Sequence, residues 1–153
     1  MVRLNSTVLK LSKENKMASF ILRSNSLPNL YSAKGSGLWA FSKRKTMSSD
    51  KGLKSFLDKN LRPGTRVLGV LTGTNGGALM RGTVRSSVRN DTIKDQVWEG
   101  EYNFPVAIDW EFIREDRKLV NLKSALGKTK KLSGGGHFPM QISDSELEKI
   151  LTA

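Results

Sequence analysis

A chain of 153 residues is the size of one ordinary domain, and its 37% hydrophobic content is that of a globular protein rather than a disordered one. It has no cysteine and a single histidine, His137, which excludes disulfides, cysteine-based zinc sites and thiol nucleophiles, and removes most other metal and triad schemes. Against 14 Asp and Glu stand 26 Lys and Arg, and the resulting charge of +12 points to a polyanionic partner, of which nucleic acid is the usual one.

No apolar run approaches the roughly 20 residues that a membrane-spanning helix requires. The expectation is a soluble intracellular monomer, nuclear or cytoplasmic, with no membrane partner and no cofactor. The positive excess is uneven. Residues 19–62 carry nine basic and two acidic side chains, residues 63–127 nine and eight, and a second basic cluster stands at Lys128, Lys130 and Lys131.

Residues 1–17 read as a basic, poorly ordered arm, and 18–153 as one domain. The arm has the Arg/Lys-rich, Ser-containing make-up of a mitochondrial presequence, against which stand Glu14 and the lack of an amphipathic face. Phe20-Ile21-Leu22 is a short apolar run of the kind a buried strand makes. Ser26-Leu27-Pro28 then opens a helix that ends near Lys34-Gly35. Gly37 to Phe41 reads as a second strand, followed by the basic loop Ser42-Lys43-Arg44-Lys45. Ser49-Asp50 caps a helix whose Leu53, Phe56, Leu57 and Leu61 share a face.

Arg62 to Thr65 is a turn, and Val67–Leu71 with Leu79–Val88 reads as a hairpin across the glycines Gly73 to Gly77. Residues 89–101 form a polar loop interrupted by Trp98. After Pro105, Ile108, Trp110 and Phe112 alternate with Asp109 and Glu111, the period of a strand with one covered face. Leu119 to Leu126 suggests a short helix. Ser143 with Glu146 three residues on is a capping box for a last helix striped by Leu147, Ile150 and Leu151. The pattern is α+β: a curved sheet or open barrel flanked by about three helices.

Catalytic signatures are thin. There is no G-x-S-x-G elbow, no phosphate-cradling P-loop and no H-E-x-x-H. Asp109 and Glu111 are explained by a solvated outer strand face. What remains is aromatic residues beside positive charge. Trp39 precedes the basic loop, and Trp98 is a large apolar side chain in polar surroundings. A base stacked on an aromatic face gains roughly 1–3 kcal/mol, while neighbouring Lys and Arg hold phosphates. For either tryptophan a purely structural role stands beside this reading.

The stretch Phe20-Ile21-Leu22-Arg23-Ser24-Asn25, the helix through Asn29 and Ala33-Lys34, and then Gly37-Leu38-Trp39 resemble the opening of a YTH domain, without a gap. Leu68–Leu71, Gly73–Gly77 and Gly82 resemble that family's hairpin, and Ile108-Asp109-Trp110 the strand after its variable loop. The resemblance spans about residues 18–152. It implies a fold related to the PUA-like barrels and a reader of N6-methyladenosine in single-stranded RNA. By the same resemblance Trp39 forms the first wall of an aromatic cage and Trp98 the other. Arg23, Ser24, Asn25, Asn29 and Ala40 line the base and its sugar. Lys34, Lys43, Arg44, Lys45, Lys128, Lys130 and Lys131 would meet the RNA backbone. The chain departs from the family at Gly134 to Phe138, where a charged pair is usual.

Two alternatives share the architecture: an EVE-like binder of modified bases in DNA, and an ASCH-like hydrolase of modified nucleosides. The second would need a Lys with a carboxylate or Tyr converging in the pocket, with Lys34, Tyr31 and Glu99 as candidates.

Overall fold

The computed structural model describes residues 18–24, 26–42, 47–72, 76–89, 92–94, 101–126 and 139–153. In chain order the elements are β1 (Ser19–Ser24), α1 (Leu27–Ser36), β2 (Leu38–Ser42), α2 (Met47–Asn60), β3 (Arg66–Leu71) and β4 (Leu79–Val84). They continue with β5 (Thr92–Lys94), β6 (Glu101–Arg114), α3 (Leu119–Leu126), β7 (Met140–Ile142) and α4 (Asp144–Thr152).

The local signals act where the sequence places them. The Ser26 side chain accepts the Asn29 N–H at the start of α1. Gly37 ends that helix with φ 68°, in the left-handed region that glycine enters without steric cost, and its N–H returns to the Ala33 carbonyl at 2.9 Å. At α4 both halves of the capping box form: Ser143 Oγ accepts the Glu146 N–H at 3.1 Å and Glu146 Oε1 accepts the Ser143 N–H at 2.9 Å.

The strands form one open, curled sheet in the order β2-β6-β4-β3-β1-β7, with β5 also on β6. β1 and β3 run parallel, Phe20 opposite Val67 and Ser24 opposite Leu71, so the α1-β2-α2 segment is the crossover between them. Both central strands are covered on both faces, which is why they read as continuous apolar runs. On one face Phe20, Leu22, Val67 and Leu71 meet Leu30 and Ala33 of α1 and Leu53, Leu57 and Leu61 of α2 or its end. On the other, Ile21, Leu68 and Val70 meet Leu122 and Leu126 of α3 and Leu147 and Ile150 of α4. Each fully buried Leu or Ile contributes on the order of 1.5–3 kcal/mol.

Four helices flank the sheet among the described residues, in keeping with the expected α+β architecture. Three expectations need correction. The 89–101 loop contains β5, and the short strand β7 pairs antiparallel with β1. β6 begins ahead of Pro105: the β2–β6 register shifts between Trp39 and Phe41, and Phe104 there takes φ 58°. A proline is tolerated at such a bulge because no ladder donor is required. A second irregularity sets Phe112 opposite Arg81 and Trp110 opposite Gly82. The extra residue, Glu111, reverses the alternation, so Ile113 joins Trp110 against the core in place of Phe112. Phe112 instead lies under the Arg81 guanidinium, 5.6 Å from the ring centre.

No helix among the described residues is long and apolar enough to cross a membrane.

Candidate nucleic-acid interface

The C-terminal end of β1 and the first turn of α1 gather three of the expected base-contacting residues. Ser24 Oγ accepts the Ser26 N–H at 3.1 Å, and the Ser24 carbonyl accepts the Thr72 N–H at 2.7 Å from the end of β3. This clamp fixes the turn from strand to helix. It holds Asn29, half-buried in the first turn of α1, close in sequence to Arg23 and Ser24. Arg23 is half-buried, and burial holds its guanidinium below the usual value. Asn25 lies outside the described residues.

Trp39 stands one residue into β2, paired with Val106. Its ring is 4% exposed and belongs to the core cluster that includes Leu30, Ala33 and Val106. Trp110 of β6 packs against it, with ring centroids 6.0 Å apart and planes inclined by 59°. Ala40 is buried beside it on β2. The sequence assigns Trp110 to the core. The structure shows it only partly buried and in direct contact with the proposed cage wall, a relation that strand alternation alone does not reveal.

Among the expected phosphate contacts, Lys34 is exposed on the last turn of α1. Trp98, Lys43, Arg44, Lys45, Lys128, Lys130 and Lys131 lie outside the described residues, as do Glu99 and the Gly134–Phe138 departure. Of the hydrolase candidates, Lys34 and Tyr31 are both exposed on α1. Tyr31 is 49% exposed and its hydroxyl donates to Glu115 Oε2 at 2.5 Å, on the surface. That hydrogen bond raises its pKa, with smaller contributions from burial and from the Glu115 charge. Asp109 and Glu111 are exposed and paired with Arg85 and Arg81, as a solvated strand face requires. Among the described residues there is no cluster of metal-ligating side chains.

No protein-family model matches the sequence, and no curated protein is significantly similar to it. Solved structures are similar in fold. The YTH domain of the Zygosaccharomyces rouxii MRB1 protein, in complex with N6-methyladenosine RNA, superposes with a TM-score of 0.61 at 19% identity, over 90% of this chain and 86% of that one. The Pho92 YTH domain in complex with m6A gives 0.58 at 18% identity, over 89% and 82%. The Mmi1 YTH domain gives 0.54 at 16% identity, over 88% and 92%. A likeness that runs through nearly the whole of each chain shows that this protein has the fold of the YTH domains.

Proposed function

We propose that this chain is a non-enzymatic reader that binds single-stranded RNA and takes an N6-methylated adenine against Trp39. The observation that carries the reading is the fold itself, shared along almost the full chain with domains solved bound to N6-methyladenosine RNA. The position of Trp39 at the start of β2 and the polar cluster of Arg23, Ser24 and Asn29 support it. So does the charge of +12.

Physically, a methyl on the exocyclic nitrogen removes one donor and adds apolar surface. A dry aromatic slot favours that group, and one acceptor takes the remaining N–H. Because Trp39 is nearly covered, a base that stacks on it must displace part of the cover, and the methyl group helps offset that displacement. One methyl in an apolar pocket is worth on the order of 1–3 kcal/mol, so the preference over plain adenine is about 10- to 200-fold. The remaining affinity is electrostatic and salt-dependent.

The test is titration of the chain with two RNA oligonucleotides that differ only in the N6-methyl group. At least tenfold tighter binding of the methylated strand is expected, with the preference lost in Trp39→Ala. Equal affinities for the wild-type chain would overturn the reading. A DNA strand carrying the same base and a modified nucleoside assayed for hydrolysis separate the two alternatives.

A further inference from the structure

The cations of the sheet are largely paired: Arg66 with Asp144, Arg81 with Glu111, Arg85 with Asp109 and Arg114 with Asp116. Helix α2 is different. It buries Leu53 and Leu57 and turns Lys51, Ser55, Asp58 and Lys59 outward, and Arg62 follows on the exposed turn. The one described exposed carboxylate on this face, Asp58, is already held by Lys54, whose Nζ reaches both oxygens at 2.7 Å. Lys51, Lys59 and Arg62 make no ion pair among the described residues. Lys51 and Lys59 are separated by about 12 Å along the helix axis, enough for more than one phosphate.

We infer that this outer face of α2, with Arg62 at its end, is a phosphate track for the backbone of the bound single-stranded RNA. The inference rests on RNA binding as proposed above. Its placement follows from the fold. α2 packs into the same core cluster as Trp39, so helix and tryptophan lie on one side of the sheet. The turn after Arg62 joins β4, where the Gly64 N–H donates to the Val84 carbonyl at 2.8 Å. The next residue, Arg85, donates its N–H to Ala107 O at 2.8 Å, and Ala107 pairs on its other edge with Leu38, the neighbour of Trp39. Three strand spacings, about 14 Å, thus separate the Arg62 end of the track from the strand that carries Trp39. Lys118, Lys123 and Lys149 are as basic but belong to the α3–α4 side, across the sheet. Exposed lysines and an arginine with no carboxylate partner present separate donors without a shaped pocket. That arrangement suits a flexible polyanion and carries no base preference.

The experiment measures RNA affinity against salt concentration for the full chain. In the triple variant Lys51→Ala, Lys59→Ala, Arg62→Ala, the slope of log K against log salt should fall by about 2, since each single-strand phosphate contact contributes about 0.7. The loss should be the same for methylated and plain strands. Asp58→Asn releases Lys54 and should steepen the slope by about 0.7. The charge-matched triple Lys118→Ala, Lys123→Ala, Lys149→Ala should change it by less than half as much as the α2 triple. An unchanged slope in the α2 triple, or an equal fall in the charge-matched control, would overturn the track. So would loss of binding to phosphatidylserine vesicles with RNA binding intact. A wild-type chain indifferent to methylation but with the α2-dependent slope would sink the reader proposal and leave the track standing.

Discussion

Trp110 sits in a cradle made by two glycines and leans on Trp39. A Cβ at Gly82 would come within 2.6 Å of Trp110 Cε3, and one at Gly69 within 3.4 Å of Trp110 Cη2. The indole N–H donates to the Leu38 carbonyl at 3.4 Å, so the ring is tied to the strand whose next residue is Trp39. The glycines leave room on the sheet for the indole, and the indole in turn limits where the Trp39 ring can stand.

Trp110→Phe should therefore weaken binding of the methylated strand more than that of the plain strand. Phenylalanine fills less of the cradle and cannot reach Leu38. The methyl preference of a 10- to 200-fold reader would drop by about threefold or more, which is about 0.7 kcal/mol at 1.4 kcal/mol per tenfold. The ratio of the two dissociation constants measures it. A ratio unchanged from wild type would show that Trp110 serves the core alone.

Gly82 and Gly35 make a matched pair of opposite sign. At Gly82 an added methyl also meets Ile108 Cγ2 at 2.6 Å and the Asp109 carbonyl at 3.1 Å, inside a closed β4–β6 packing. Gly82→Ala should cost about 1–3 kcal/mol by overpacking. Gly35, in the exposed last turn of α1, has nothing within 4 Å of a built Cβ, and Gly35→Ala should gain up to about 1 kcal/mol from helix propensity. Urea unfolding midpoints compared with wild type decide both, and a stabilised Gly82→Ala would contradict the cradle.

How much of this was legible beforehand depended on how local each cause was. The caps at Ser26 and Ser143 and the Leu53, Leu57, Leu61 face act within a few residues, and the structure shows them in place. The helix at Met47 starts two residues ahead of Ser49, a boundary that tertiary packing sets. The bulge at Glu111 is a property of the β4 pairing, so the strict alternation of β6 pointed Phe112 to the wrong face. β7 is three residues long and exists because β1 offers it an edge. Of the proposed site, Trp39, Arg23, Ser24 and Asn29 are named by the resemblance to known domains, while the Trp110 contact and the inferred α2 track show only in the three-dimensional arrangement. Neither has a spacing signature, because each joins residues distant in sequence or depends on which neighbouring charges are already paired.

Ser19 presents a buried hydroxyl that gains nothing from its position. It is 1% exposed at the start of β1, and its Oγ has no hydrogen-bond partner among the described residues. Burying an unsatisfied hydroxyl costs on the order of 1–3 kcal/mol, so Ser19→Ala should stabilise the fold by about 1 kcal/mol. Thermal unfolding at fixed scan rate would register this as a rise in Tm of several degrees for a domain of this size. A fall in Tm would mean that the hydroxyl is satisfied in solution.

The Tyr31–Glu115 hydrogen bond ties α1 to the segment that follows β6, and it gives the chain a signature at alkaline pH. Glu115 stabilises the protonated phenol, so the folded-state pKa lies above the ordinary value of about 10. A raised pKa means that the contribution to stability is fully present below the unfolded value. It is lost as pH rises through the folded one, so the window lies at and above about pH 10. The chain has two tyrosines, Tyr31 and Tyr102. Ultraviolet titration of the phenolate band should show a late phase that disappears in Tyr31→Phe and moves to lower pH in Glu115→Gln. Below pH 10 Tyr31→Phe should unfold at slightly lower denaturant than wild type, and the two should converge as the medium becomes more alkaline. A late phase that survives Tyr31→Phe would assign it to Tyr102 and remove the Glu115 contact as its cause.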